Sequence, residues 1–259
     1  MTTQSTSWDE TVPLPQGGTF LAHGGALRRA LSYEWVAMRS IRAPWLLCGA
    51  ALVAQILTDA FEGRSAMAGN GQLASGMLGV ILAGFTLFAA LGVTVIGGEY
   101  RHHTITTTVL TLSDRRGILL AKAVVTAAVT AVTAAVMVLV NAFSVPVLGG
   151  VPVSASRVAG LGAAAVLYAV LCALAGLAVG ALTRNPALSI ALAILWPAVL
   201  EKVAILALHV SQDLAPFTAA AAQAEARDGG PQWALTLPLA ALVAVLLALA
   251  STLFCRRDV

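Results

Sequence analysis

Residues 98–122 read GEYRHHTITTTVLTLSDRRGILLAK and separate two apolar runs that are each long enough to cross a bilayer. The stretch is polar, and its basic residues are Arg101, His102, His103, Arg115, Arg116 and Lys122. A loop of this size, with helical spacing and a carboxylate at its start, is too structured to be only a connector. It indicates a membrane protein that a soluble partner binds at this loop.

The composition of the whole chain favours a membrane environment. Of the 259 residues, 59% are hydrophobic and 10% are charged, and the mean hydropathy is +0.87. A soluble domain carries about 25% charged residues. An open strand in lipid would leave its backbone groups unsatisfied. We therefore predict an all-α integral membrane protein.

The apolar runs predict six transmembrane helices, preceded by a disordered polar tail at residues 1–23 and an interfacial helix at residues 24–42. The transmembrane domain covers residues 43–259. Its predicted spans are 43–58, 73–97, 118–143, 158–182, 187–208 and 233–254; the first is short and can extend to Phe61. The first 40 residues lack the apolar core of a cleavable signal peptide, so the first span is expected to direct insertion.

The distribution of Lys and Arg predicts the orientation. One set of polar segments holds Arg28, Arg29, Arg39, Arg42, Arg101, Arg115, Arg116, Lys122, Arg184, Arg256 and Arg257. The alternate segments hold only Arg64, Arg157 and Arg227. We expect a multi-pass protein of the plasma membrane with both termini and the 98–122 loop in the cytoplasm.

The interfacial helix is amphipathic, with an apolar stripe of Leu27, Leu31, Trp35, Met38 and Ile41. Arg39 falls on another face and Arg42 ends the helix, both within reach of lipid phosphates. Glu34 projects into the apolar stripe. It either faces a protein partner, which we favour, or is packed on neighbouring helices.

Small and polar residues within the spans indicate close packing. Gly176 and Gly180 form a pair that lets helix backbones approach. Thr126, Thr130 and Thr133 share one face of the third span, and Asn141 lies near its outer end. The threonines either line a polar path or, as we favour, bond to carbonyls of their own helix.

The fifth span carries Pro197, which is expected to kink it, and the ionisable pair Glu201 and Lys202. Adjacent residues do not share a helical face, so the two need not pair. Glu201 is a possible intramembrane polar site or a structural residue, and Lys202 snorkels to the outer interface. The stretch from Pro216 predicts a short helix on or in the membrane.

Catalytic and cofactor motifs are missing from the sequence. There is no GxxxxGK[ST] loop, HExxH motif or Ser/His/Asp arrangement. Glu99, His102 and His103 lie close together, but spacing supplies no third metal ligand. Three cysteines, Cys48, Cys172 and Cys255, are interpreted as small buried hydrophobic residues. We expect no enzyme activity, no cofactor or metal, and no nucleic-acid partner.

The loop itself predicts a helix from Glu99 to about residue 111, with the Glu99 carboxylate at its favourable N-terminal end. Tyr100, Arg101, Thr104 and Ile105 then form a mixed aromatic, charged and apolar surface. Ser113 or Asp114 is placed to cap the third span.

These residues resemble a known family, the ABC-2-type transporter permeases. The stretch from Glu99 to Ile105 followed by TLSDRRGILLAK is similar to that family's cytoplasmic loop. Glu34-Trp35, Arg39-Ser40, Arg42 and Trp45 resemble its opening, and PFTAAAA resembles the loop before its last span. One departure is His103, where the family usually has Gly.

The resemblance implies the permease subunit of an ATP-driven exporter. Two six-span subunits, as a homodimer or paired with a second permease, would form the pathway in the lipid bilayer. A separate soluble ABC ATPase would hold ATP and Mg and bind a coupling helix in residues 98–116. The contact residues would be Glu99, Tyr100, Arg101, Thr104 and Ile105, braced by the interfacial helix.

Two other functions remain open from the sequence. The first is an ion-coupled secondary carrier, which would use an intramembrane group such as Glu201. The second is a regulatory or immunity membrane subunit that binds an ATPase without transporting.

Overall fold

The computed structural model describes residues 22–65, 78–102, 115–149, 155–209, 211–224 and 233–256, and helices are the only regular elements in these ranges. The α-helices are Ala22–Ser40, Arg42–Ser65, Leu78–Ala83, Ala89–His102, Arg115–Gly149, Ala155–Thr183, Pro186–Leu195, Glu201–Leu208, Pro216–Ala224 and Leu237–Arg256. Two π-helical segments, Gly84–Phe88 and Trp196–Leu200, each join two α-helices, and short 3₁₀ turns lie at Gln212–Leu214 and Trp233–Thr236.

Six of the helical stretches are long and apolar enough to cross a membrane, which confirms the predicted number of spans. We number them spans 1 to 6: Arg42–Phe61, Gly79–Gly98, Gly117–Ser144, Val158–Thr183, Pro186–Ala207 and Ala234–Leu253. Ala22–Ser40 is called the N-terminal helix below. The predicted disordered tail lies outside the described residues, as does the start of the second predicted span.

Spans 2 and 4 form the centre of the bundle. About two thirds of each is buried, 65% and 67%, against 17% for span 5 and 22% for span 6. Phe88 and Leu91 of span 2 and Tyr168 and Leu177 of span 4 are almost fully buried. The remaining spans therefore surround this central pair and turn apolar side chains outward.

Glycine allows the two central helices to touch through their backbones. A Cβ on Gly92 would overlap the carbonyl oxygen of Ala173, and one on Gly176 would overlap that of Ala89. At Gly180 a Cβ would lie 2.7 Å from Ile96. The predicted pair Gly176 and Gly180 therefore packs on span 2, where Gly92 is the counterpart that the sequence analysis missed.

The predicted irregularity at Pro197 is a π-helical segment. Pro197 is buried in Trp196–Leu200, directly before Glu201. Proline has no N–H to donate within the helix. The wider π-helical turn accommodates this missing hydrogen bond. The segment sets the direction of the residues that follow, including the Glu201 side chain.

Candidate functional site

A buried ion pair joins the N-terminal helix to span 3. Lys122 Nζ donates to Glu34 Oε2 at 2.7 Å, and about 4% of each side chain is exposed. The two residues are 88 positions apart in sequence. Of the two interpretations of Glu34, packing on a neighbouring helix is therefore the one observed. The interpretation favoured from the sequence, a contact of Glu34 with a protein partner, is not what this ion pair shows.

The N-terminal helix buries a different stripe from the one predicted. Ala30, Glu34 and Met38, spaced four residues apart, face the protein. Trp35 is 46% exposed and Ile41 is 45% exposed. The predicted stripe is thus divided, because the ion pair fixes the rotation of the helix with Glu34 inward. Arg39 and Arg42 are exposed, as an interfacial helix requires.

A cavity of about 300 Å³ opens beside this ion pair. Its lining includes Tyr33, Glu34 and Met38 of the N-terminal helix, Gly98 at the end of span 2, and Lys122 of span 3. The two ends of the 98–122 stretch therefore meet the N-terminal helix at one place. A displacement of this stretch would act on three helices at once.

The predicted contact residues of the loop are described only in part. Glu99, Tyr100 and Arg101 belong to the helix Ala89–His102, which also carries Gly98 of span 2. The expectation that Glu99 begins a separate helix is therefore wrong for residues 99–102, since glycines at 97 and 98 do not break the helix. Thr104, Ile105 and the proposed capping residues Ser113 and Asp114 lie outside the described residues.

The buried threonines of span 3 do not all bond to their own helix. Thr133 Oγ1 donates to the Val129 carbonyl at 2.9 Å, as favoured from the sequence. Thr126 and Thr130 are fully buried, and their hydroxyls have no hydrogen-bond partner among the described residues. For these two the favoured interpretation is not observed. The Cys48 thiol of span 1 lies against the Thr133 hydroxyl.

A third polar contact lies between span 1 and the far end of span 3. Gln55 Nε2 donates to Asp59 Oδ1 at 2.7 Å, and Asn141 Nδ2 donates to the same oxygen at 3.0 Å. All three residues are buried. The sequence analysis noted only Asn141. The signal was available, because Cys48, Gln55 and Asp59 are spaced seven and four residues apart and so share one helical face.

The buried polar residues of these three helices form a row that we call the polar seam, defined as Glu34, Lys122, Thr126, Thr130, Thr133, Cys48, Gln55, Asp59 and Asn141. The seam follows the contact of span 3 with the N-terminal helix and span 1. From Lys122 to Asn141 it extends about 28 Å at about 1.5 Å per residue, close to the thickness of a hydrocarbon core of about 30 Å. The polar seam therefore lies along the contact of span 3 with the N-terminal helix and span 1 over most of the length of span 3.

Glu201 serves a different contact, the start of the short helix Pro216–Ala224. Its two carboxylate oxygens accept from the backbone N–H of Phe217 at 3.0 Å and of Thr218 at 2.9 Å. The Thr218 hydroxyl also donates to it at 2.9 Å. A carboxylate is favoured at a helix N-terminus, where backbone N–H groups lack partners. Lys202 is exposed on another face, as expected.

Over the residues that the structure describes, the protein is all-α and has six helices that are long and apolar enough to cross a membrane. Among the side chains that can be described, no three His, Cys, Asp or Glu residues lie close enough to hold a metal ion. Comparison with protein-family models finds no match for the chain, and none of the curated proteins matches it.

Proposed function

We propose that this chain is the permease subunit of an ATP-driven ABC exporter. A separate ATPase subunit would bind the 98–116 loop on the cytoplasmic side and carry the ATP and Mg. The observation that supports this most is the convergence of both ends of the loop, Gly98 and Lys122, on the N-terminal helix at the buried Glu34–Lys122 pair. The family resemblance of these same residues supplies the rest of the proposal.

The mechanism transmits movement from the loop to the spans. Closure of two ATPase subunits would displace the loop, and with it the end of span 2 and the start of span 3. Span 2 is packed closely on span 4 through backbone contacts at glycines. Span 3 is tied to the N-terminal helix and to span 1 by the polar seam. Packed helices therefore shift as units, which turns a local push into a change of the membrane pathway.

In this proposal the loop residues contact the ATPase, and residues on or near the N-terminal helix support the loop. Glu99, Tyr100, Arg101, Thr104 and Ile105 would contact the ATPase. Trp35, Arg39 and Arg42 are exposed on or directly after the N-terminal helix, where they would hold it against the cytoplasmic lipid interface. Glu34 would brace the loop through Lys122.

A second permease subunit is expected beside this one. Span 5 is the least buried of the six, and its outward side chains include Leu195, Trp196, Val199, Val203 and Leu206. Such a surface suits either lipid or another copy of the chain. The proposal requires two subunits to complete the pathway, as a homodimer or with a second permease.

The proposed orientation is tested by labelling cysteines introduced at positions 114 and 228. Cys255 is first replaced with Ser, and Cys48 and Cys172 are buried. Asp114→Cys should react with an impermeant thiol reagent only after the membrane is opened, whereas Asp228→Cys should react in intact cells. Labelling of position 114 from outside would contradict the placement of the loop beside a cytoplasmic ATPase.

A second candidate function, the ion-coupled secondary carrier, is favoured by one observation. Asp59 is a buried carboxylate inside span 1, and ionisable groups in such positions are commonly functional. A carrier of this kind would need no ATPase, so co-purification separates the two candidates. A regulatory subunit would retain the ATPase but show no transport.

A further inference from the structure

We infer that Asp59 and Asn141 form a proton-binding site between spans 1 and 3, with the proton held on Asp59 Oδ2. The proposal concerns a part of the polar seam that the loop does not reach, and it stands whether or not the chain couples to an ATPase. The ligand class is a single proton, taken from water.

The first argument is the hydrogen-bond pattern of the two side chains. Asn141 Nδ2 donates to Asp59 Oδ1, which fills one edge of the pair. The remaining oxygens of the two side chains, Asp59 Oδ2 and Asn141 Oδ1, are both buried, and neither accepts a hydrogen bond from any residue that the structure describes. An ionised carboxylate and an amide carbonyl can only accept. Two such acceptors cannot satisfy each other, whereas one proton on Asp59 Oδ2 can be donated to Asn141 Oδ1.

The second argument is that spans 2 and 3, as far as the structure describes them, place no compensating charge near Asp59. It is 5% exposed within span 1. Span 2 as described has no charged residue before Glu99, and the only charged residue of span 3 is Lys122, which pairs with Glu34 near the opposite end of the span. Burying an ionised carboxylate without a cation is costly, and taking up a proton removes that cost.

The neighbouring hydroxyl does not supply the missing donor. Ser144 lies beside the Asp59 carboxylate, but its hydroxyl donates to the Asn141 backbone carbonyl at 3.0 Å. Gln55 Nε2 donates to Asp59 Oδ1, the oxygen that is already engaged. A protonated Asp59 therefore completes an acid–amide ring in which the acid accepts from the amide N–H and donates to the amide carbonyl.

Infrared spectroscopy of the full chain in lipid nanodiscs at neutral pH tests this directly. A protonated carboxylic acid has a carbonyl stretch that is separate from carboxylate absorption and shifts in D₂O. We expect one such band per chain, lost in Asp59→Asn. Glu201→Gln is the matched control and should keep the band, since it leaves Asp59 and Asn141 unchanged and alters a carboxylate whose oxygens already accept three hydrogen bonds.

A second variant keeps the test decisive even if Asp59→Asn fails to insert. Asn141→Leu removes both hydrogen bonds of the ring, so the Asp59 band should move to higher frequency with its area unchanged. A spectrum that shows carboxylate absorption and no protonated carboxylic acid band overturns the proposal. So does an acid band that survives Asp59→Asn or is unmoved by Asn141→Leu.

Discussion

Removing one partner of the Glu34–Lys122 pair should destabilise the protein far more than removing both. In Lys122→Met the Glu34 carboxylate stays on the buried face of the N-terminal helix and loses its ion pair with Lys122. With about 4% of each side chain exposed, solvent screens the pair poorly. Loss of one partner of a buried pair costs about 3–5 kcal/mol, whereas replacing both with apolar residues is often neutral or stabilising.

The assay is thermal unfolding in nanodiscs of the two single variants, Glu34→Leu and Lys122→Met, and of the double variant. For a chain of this size, about 3–5 kcal/mol corresponds to a lowering of Tm by about 6–20 °C. The double variant should recover most of that loss. Lys202→Met is the matched control, because Lys202 is exposed and its replacement should change stability by no more than about 0.5 kcal/mol. Single variants that melt with the wild type, or a double variant as unstable as the singles, would refute the reasoning.

Three other contacts give measurable predictions by the same unfolding assay. Glu201→Gln should lower the free energy of unfolding by about 1–3 kcal/mol, because it replaces one of the two oxygens that accept hydrogen bonds from the start of the helix Pro216–Ala224. Thr218→Val should cost less in the Glu201→Gln background than in the wild type, and fully additive costs would argue against a shared contact. Gly176→Ala should lower the free energy of unfolding by about 1–3 kcal/mol by forcing spans 2 and 4 apart. Gly49→Ala is the control and should be neutral or stabilising, because no atom lies within 4 Å of the added Cβ. Equal effects of the two variants would contradict the packing described. Asn185→Ala should cost about 1 kcal/mol, because its side chain accepts two backbone N–H groups at the start of span 5, and an unchanged Tm would show that the cap is dispensable.

The number and placement of the spans could be predicted from sequence because each depends on local composition. Predicted span 4, residues 158–182, and observed span 4, Val158–Thr183, differ by one residue. Span 1 was predicted to end at residue 58 or to extend as far as Phe61, and it extends to Phe61. The polar Thr58 and Asp59 stay inside the helix because they form hydrogen bonds with Ala54 and with span 3.

The pairing of distant polar residues was not available from local patterns. Glu34 was recognised as misplaced on an apolar face, but its partner lies 88 residues away. Lys122 was counted only for its charge. A single sequence shows which face of a helix is polar, and it does not show which helix covers that face. The same limit applies to Glu201, whose donors come from a helix 16 residues later.

The helix start predicted at Glu99 was wrong because it was based only on local sequence. Glu99 at a helix start agreed with the helix dipole, yet residues 99–102 continue the helix that begins at Ala89. Helix continuation is possible there because Gly98 has open space around it and Gly97 packs against Pro186. The roles of Glu99 and Arg101 in binding an ATPase stay a prediction.

Co-purification from the native membrane tests the central proposal most directly. The solubilised chain is isolated, and bound proteins are identified and quantified by mass spectrometry. The account predicts a soluble ABC ATPase in stoichiometric amount, lost in Glu99→Ala and Arg101→Ala but retained in Arg256→Ala, which removes a basic residue from the same predicted side. A folded, inserted chain that carries no ATPase, or one whose ATPase is unaffected by the two loop variants, would contradict it.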